Sequence, residues 1–132
     1  MKPTKAVITA ANPEEKHLPL QTITNALGDS KPVLENALDD LSASGIESVA
    51  IIILPGALDE YRAAAGPHAD SLTFIEQKEP LGYGHAVWCA KDFVGDEPFV
   101  LIVVDHLFLS HSEQPCIKQL LDLAAEHSAI IS

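Results

Sequence analysis

A glutamine followed five and seven residues later by glycines is the most chemically informative feature of this chain. The segment reads Gln77-Lys78-Glu79-Pro80-Leu81-Gly82-Tyr83-Gly84-His85-Ala86. The amide of Gln77 can both donate and accept hydrogen bonds, as reading the edge of a nucleobase requires. Gly82 and Gly84 carry no Cβ, so the backbone can come close to a flat ligand. On spacing alone, a simple turn before a helix, with Gln77 in solvent, is the other interpretation.

A second candidate group is Asp105, which directly follows the apolar run 99–104. An aspartate at the end of a buried strand is often a turn residue or a helix cap. It could instead hold Mg²⁺, a hard cation that prefers oxygen ligands. The neighbouring His106 is not expected to bind Mg²⁺, because imidazole suits softer metals. Both interpretations of Asp105 stay open on the residues alone.

The elements that must position these groups alternate between strands and helices. Apolar runs without a helical period predict strands, and stripes of helical period predict helices. The predicted strands are 5–11, 48–54, 72–76 and 99–104, the predicted helices are 32–44, 58–65, 84–92 and 115–127, and residues 12–30 are predicted to be irregular. This alternation favours an α/β fold with a mostly parallel sheet and helices on both faces. Ligands bind at the carboxyl ends of such strands, so the segment after residue 11, the Gln77 loop and Asp105 are expected to share one site.

Length and charge restrict the class of protein further. The 132 residues fit a single domain, 1–132, and the net charge of −11 disfavours nucleic acids and anionic membranes as partners. A nucleotide is still allowed, because it needs only local N–H groups and one or two cations. No apolar run approaches the roughly 20 residues of a membrane span, and a cytoplasmic protein is predicted. Residues 128–132 resemble the start of another strand, which predicts a truncated fold whose open sheet edge favours a homo-oligomer.

The motifs taken together resemble those of the bacterial UTP–glucose-1-phosphate uridylyltransferases, within the sugar-1-phosphate nucleotidyltransferases. The resemblance rests on Lys5-Ala6-Val7-Ile8, Lys31-Pro32, Gly45-Ile46, the segment 77–87, Gly95-Asp96-Glu97-Pro98 and Val103-Val104-Asp105. It extends over the N-terminal half of such an enzyme. The fold that it implies is a Rossmann-like three-layer sandwich of the nucleotide-diphospho-sugar transferase type.

The resemblance also implies a reaction and a set of site residues. The reaction converts UTP and glucose-1-phosphate to UDP-glucose and pyrophosphate, with Mg²⁺ and cationic side chains neutralising charge. Its partners would be a uridine nucleotide and a sugar-1-phosphate. The implied nucleotide-binding residues are Ala11, Gln77, Pro80, Gly82 and Gly84; the implied catalytic residues are Lys16 and Asp105, and Asp105 is the implied metal ligand.

The segment after the first strand departs from this family. Members carry a Gly-x-Gly-Thr/Ser-Arg loop there, whose N–H groups face the phosphates. This chain has Asn12-Pro13-Glu14-Glu15-Lys16 instead, in which Pro13 lacks an N–H. Glu14 and Glu15 carry the same sign of charge as a phosphate, and one such charge at about 4 Å from a phosphate costs on the order of 4 kcal/mol at an effective dielectric near 20. Two alternatives to the enzyme therefore stay open: a catalytically degenerate module that binds a uridine nucleotide or depends on a partner, and an inactive fragment.

Overall fold

A computed structural model describes residues 2–13, 18–24, 27–103 and 112–127. The strands are β1 (Lys5–Thr9), β2 (Thr22–Thr24), β3 (Ser30–Pro32), β4 (Ser48–Ile53), β5 (Leu72–Glu76) and β6 (Phe99–Val103). The helices are α1 (Val33–Ala43), α2 (Leu58–Ala65), α3 (Tyr83–Trp88), α4 (Lys91–Val94) and α5 (Cys116–Ala124), with 3-10 helices at Leu18–Leu20 and Gly66–Ser71. The predicted alternation of strands and helices is confirmed.

Four strands form one fully parallel sheet in the order β5-β4-β1-β6. The central strand β1 pairs with β4 and β6, so that Thr9 lies opposite Ile52 on one side and Val103 on the other. The chain first adds strands on one side of β1 and then crosses over to place β6 on the other. In such a sheet the crevice for a ligand opens beyond the carboxyl end of the strand where the order reverses, which is β1.

The two faces of this sheet are covered by different helices. Side chains alternate between the faces along a strand. Ala6 and Ile8 of β1 therefore pack into one cluster, together with buried residues of α1, α2 and α5. Val7 and Ile52 belong to a second cluster, on the face covered by α3 and α4.

Helix α1 shows why the sequence signals for helices worked here. Leu34, Leu38 and Leu41 lie on one stripe of the helix and are buried. The helix ends at Ala43, and Gly45, two residues later, has a φ of 92° in the left-handed region. The N–H of Ile46 then donates to the carbonyl of Leu41 at 3.1 Å, which satisfies one of the last helical carbonyls. Glycine is favoured at such a stop because other residues are strained at positive φ.

Two predictions of secondary structure are wrong. Residues 12–30 are not irregular throughout, because β2 and β3 form an antiparallel pair with Thr22 opposite Pro32 and Thr24 opposite Ser30. The predicted helix 84–92 is two short helices, α3 and α4, separated at Ala90, whose ψ of 2° leaves the helical range. The strand predicted to begin at residue 128 lies outside the described residues.

Across the described ranges, no helix is both long enough and apolar enough to cross a membrane.

Candidate functional site

A cavity of about 350 Å³ opens at the carboxyl end of β1. Residues 9–13 line it on one side, the loop after β5 contributes Gln77, Pro80, Gly82 and Tyr83, and Ala86 and Val103 complete the lining. Small-molecule sites measure roughly 300–1,000 Å³, so this cavity is near the lower end of the range. It accommodates a group of about the size of a nucleoside rather than a whole nucleotide sugar.

The sheet holds the two sides of the cavity in place. Ala10 extends the ladder of β1 by donating its N–H to the carbonyl of Ile52 at 2.8 Å. Gln77 extends the ladder of β5 in the same way, to the carbonyl of Ile53 at 2.8 Å. Because both acceptors belong to β4, the two cavity walls share one rigid strand between them.

The side chain of Gln77 is buried, with 4% of its surface exposed. Its Nε2 donates to the carbonyl of Gly82 at 3.2 Å and lies 2.9 Å from Nδ1 of His85. A carbonyl can only accept, so the amide nitrogen must face Gly82, and Nδ1 of His85 accepts from the second N–H. Oε1 accepts no hydrogen bond from the described residues, and it is the atom of this amide that can still bind a ligand. The interpretation of Gln77 as a residue in solvent is wrong.

Gly82 is the residue that shapes this loop. Its φ of 99° and ψ of −178° lie in a region that is essentially restricted to glycine. Its carbonyl accepts hydrogen bonds from Gln77 and from the N–H of Ala86 at 3.1 Å, and thus joins the loop to the start of α3. A Cβ at Gly82 would meet no atom within 4 Å, so backbone conformation rather than crowding requires glycine here.

Tyr61 supports the cavity from below and was not found by sequence reasoning. Its hydroxyl donates to the carbonyl of Ala10 at 3.2 Å, and 1% of its surface is exposed. Burial, with a smaller contribution from the charge of Glu60, raises the pKa of Tyr61 to about 12. The hydroxyl therefore stays protonated and holds the end of β1. A tyrosine within α2 carries no sequence signal for this role.

Four of the five predicted nucleotide-binding residues line the cavity: Ala11, Gln77, Pro80 and Gly82. Gly84 does not; it is the second residue of α3, and its role stays a prediction. Lys16 and Asp105 lie outside the described residues. Within the described ranges, no three acidic, histidine or cysteine side chains come together as a metal site would need.

Sequence reasoning also missed Thr9, which lines the cavity at the end of β1. It is the only polar residue in the buried run Ala6-Val7-Ile8-Thr9-Ala10-Ala11. That single interruption of an apolar strand was the signal that could have found it.

A parallel α/β sheet with helices on both faces and a cavity beyond the carboxyl end of β1 defines a protein with a Rossmann-like fold. Comparison with known families makes this more specific. Residues 22–132 match the family model described as nucleotidyl transferase, and this chain belongs to that family. The match begins at β2, after the segment in which the glycines of the phosphate loop are missing.

Individual relatives agree with the family. The chain is 41% identical over 81 residues to the low-salt glycan biosynthesis nucleotidyltransferase of Haloferax volcanii, which is 59% of this chain and 23% of that protein. It is 30% identical to the UTP–glucose-1-phosphate uridylyltransferase of Staphylococcus epidermidis in an alignment of 162 positions, which covers 96% of this chain and 53% of that protein. A crystal structure of UDP-glucose pyrophosphorylase complexed with UDP-glucose superimposes with a TM-score of 0.72 at 22% identity, over 94% of this chain and 54% of that chain.

These comparisons confirm the predicted fold, with its mostly parallel sheet and flanking helices, and the predicted resemblance. The protein is like a sugar-1-phosphate nucleotidyltransferase in sequence and in fold. The chain spans about half of the length of the Staphylococcus protein and of the compared structure.

Proposed function

We propose that this chain binds a uridine nucleotide with the base in the cavity beyond β1, and that binding serves transfer of the uridylyl group to a sugar-1-phosphate. The observation that carries the proposal is the fixed amide of Gln77, whose oxygen is the group left for a ligand. Uracil presents a ring N–H between two carbonyl oxygens, and this N–H is a donor for Oε1. Cytosine has an unprotonated nitrogen at that position, which would oppose the same oxygen.

Two further facts support uridine in particular. The Staphylococcus relative is named for UTP and glucose-1-phosphate, and the compared structure contains UDP-glucose. The cavity lining is mostly apolar, with Ala10, Ala11, Pro80 and Ala86 around the polar side chain of Gln77. Apolar walls with a few placed polar groups are typical of sites for flat organic ligands.

The proposed reaction joins UTP and glucose-1-phosphate. A phosphate oxygen of the sugar-1-phosphate attacks the α-phosphorus of UTP, the bond to the bridging oxygen breaks, and UDP-glucose and pyrophosphate leave. Asp105 is the proposed ligand of Mg²⁺, which would neutralise phosphate charge when bound, and Lys16 is the proposed phosphate contact. What supports Asp105 is its position two residues after Val103, which lines the cavity. The proposal includes a cytoplasmic location, because nucleoside triphosphates are available there.

A second candidate function is nucleotide binding without transfer. Pro13 favours it, because this residue lines the cavity where the family has glycines, and it offers no N–H to a phosphate. The lining formed by the described residues also includes no lysine or arginine. In this candidate the chain keeps the base site and depends on a partner for the groups that handle phosphate.

Calorimetric titration separates these functions. We expect heat on titration with UTP and UDP-glucose, and release of pyrophosphate when glucose-1-phosphate and Mg²⁺ are added to the UTP complex. Binding without release of pyrophosphate would favour the second candidate. No heat with either nucleotide at millimolar concentration would refute both. Sedimentation velocity on the same samples tests the homo-oligomer, which stays a prediction.

Gln77→Ala tests the base reader directly. We expect the preference for UMP over CMP and AMP to fall to within about twofold, because the fixed acceptor is gone. Gln21→Ala is the matched control, since Gln21 is exposed and does not line the cavity. An unchanged preference for UMP in a folded Gln77→Ala protein would refute this assignment.

A further inference from the structure

The hydroxyl of Thr9 is a feature of the cavity that the proposed function leaves unexplained. Only 8% of the surface of Thr9 is exposed, and its Oγ1 is buried without a hydrogen-bond partner among the described residues. Leaving a buried hydroxyl unpaired destabilises a fold, and native proteins contain few such groups. A valine has nearly the same shape and would avoid this penalty, so the hydroxyl calls for an explanation.

The location of the buried polar groups supplies that explanation. Within the described residues, the buried polar side chains are Thr9, Ser44 and Gln77. The hydroxyl of Ser44 is satisfied, because it donates to the carbonyl of Asp40 at 2.6 Å. The other two both line the cavity beyond β1. Two of the three buried polar side chains thus line one small, mostly apolar cavity, as polar groups do in a ligand site.

The geometry of the sheet allows Thr9 and Gln77 to contact one ligand. Thr9 ends β1, Gln77 follows β5, and β4 lies between these strands. Two strand spacings amount to about 10 Å. Both residues line the cavity, so their side chains can reach from the two strands to neighbouring groups on one edge of a planar ring, each at a hydrogen-bond distance of about 3 Å. By strand alternation, Thr9 also shares its face with Val7, the face on which Ala86 packs.

We propose that Thr9 is a second base-contacting residue of the pocket, whose hydroxyl donates a hydrogen bond to a carbonyl oxygen of bound uracil. Gln77 accepts from the ring N–H of the same base. Because Oγ1 is buried in the ligand-free protein, the role requires the side chain to turn about χ1 to another staggered rotamer, in which the hydroxyl meets its acceptor. The inference rests on the proposed function, and it adds a second polar contact that the sequence motifs do not include.

Thr9→Val tests the inference with two readouts of opposite sign. We expect the Kd for UMP to rise about tenfold, because the contact is lost. The melting temperature of the ligand-free variant should stay equal or rise, because an unpaired buried hydroxyl has been removed. Thr9→Ser keeps the hydroxyl and should bind UMP within about threefold of the parent protein. Thr73→Val is the matched control, since Thr73 is an exposed residue of β5.

Thiolated nucleotides test the same contact without relying on a variant that folds. We expect either 2-thio-UMP or 4-thio-UMP to bind the parent protein about fivefold more weakly than UMP, because sulfur is a poor acceptor. That difference should disappear in Thr9→Val. Equal Kd values for UMP in the parent and Thr9→Val, or equal binding of UMP and both thio analogues to the parent, would overturn the role of Thr9 alone. Absence of any UMP binding to the parent would overturn the proposed function, and this inference with it.

Discussion

The two faces of the parallel sheet are packed in different ways. On the face covered by α1, α2 and α5, most of the buried side chains from the helices are large, among them Leu34, Leu38, Tyr61 and Leu121. On the face covered by α3 and α4, the buried side chains from residues 83–94 are small: Ala86, Ala90 and Val94. Large side chains fill the space between helix and sheet and stabilise the fold, whereas alanines leave room beside the strand ends. The cavity lies on the side of the alanines, at Ala86.

Two adjacent residues of β1 lie on these two faces. Ile8 is fully buried in the large-residue cluster, and Thr9 points to the opposite face with an unpaired hydroxyl. At its carboxyl end, β1 therefore places Ile8 in the core on one face, while Thr9 on the other face belongs to the lining of the cavity. Substitutions on the face covered by α1, α2 and α5 should mainly change stability, whereas substitutions beside the cavity on the other face should mainly change binding.

The largest effect is expected from Leu34→Ala, on the face of the sheet covered by α1, α2 and α5. Leu34 is fully buried, and truncating a leucine in such a core costs about 2–5 kcal/mol of unfolding free energy. Val94→Ala on the other face should cost less, about 1–2 kcal/mol, because fewer buried carbons are lost. Urea denaturation of both variants gives the two values. A cost for Val94→Ala equal to that for Leu34→Ala would contradict the comparison.

Ala86→Leu should instead act on binding. The larger side chain fills part of a 350 Å³ cavity that Ala86 lines, and we expect the Kd for UDP-glucose to rise at least a hundredfold, about 2.7 kcal/mol. Overpacking would also cost about 1–3 kcal/mol of stability, so thermal unfolding is measured beside calorimetry. Ala63→Leu, an exposed position of α2, is the control and should leave the Kd unchanged. Full binding by a folded Ala86→Leu protein would show that the ligand lies elsewhere.

The two glycines of the loop provide a matched pair with a smaller expected effect. Gly82→Ala places a Cβ at a φ of 99° and should destabilise the protein by about 1–3 kcal/mol. Gly84→Ala should stabilise it by about 0.5–1 kcal/mol, because Gly84 lies in α3, where alanine is the better helix former and its Cβ meets nothing within 4 Å. Chemical denaturation of both variants measures this difference in sign. Similar costs at the two positions would mean that the backbone of Gly82 does not determine the loop.

The sheet could be predicted from the sequence because its signal is local. Strands β1, β4, β5 and β6 are apolar runs separated by helices, and each run can be recognised without its partners. Strands β2 and β3 have only three residues each, too few for a periodic pattern. The β-branched segment Thr22-Ile23-Thr24 was a signal of strand propensity, but only pairing with residues 30–32 makes it a strand.

The residues of the candidate site also differ in whether a local sequence signal marks them. Gln77 and Gly82 could be found because they lie five residues apart in one motif. Tyr61 could not, because its role arises from a contact with Ala10, 51 residues away along the chain. The proposed role of Thr9 rests on the face of β1 on which it lies, and on the absence of a hydrogen-bond partner among the described residues.

The smallest expected effect on stability comes from the ion pairs of Asp39, on the face of the sheet covered by α1, α2 and α5. Asp39 of α1 lies 2.9 Å from Nζ of Lys31 in β3 and 2.7 Å from Nε2 of His68. Burial acts to raise the pKa of Asp39, but the hydrogen bonds from His68 and Lys31 together lower it below its ordinary value of 3.8. A carboxylate with a lowered pKa stabilises the folded state above its unfolded pKa, and this contribution is lost as the pH falls through the folded pKa.

Asp39→Asn should therefore reduce stability at pH 6–7 by less than about 1 kcal/mol, because the group is partly exposed to solvent. The gap between the parent and the variant should begin to close near pH 4, where the carboxylate of the unfolded parent becomes protonated, and should be gone below the lowered pKa of the folded protein. The stability of the variant must be compared with that of the parent at each pH because Asp40 also titrates: burial and the charge of Asp39 raise its pKa, so its effect on stability with pH is opposite in sign to that of Asp39. Urea denaturation at several pH values measures the gap, and UMP binding at pH 7 should be unchanged, since Asp39 does not line the cavity. A gap that stays constant down to pH 3 would exclude the carboxylate charge as its cause, and weakened UMP binding would show that the two faces are coupled.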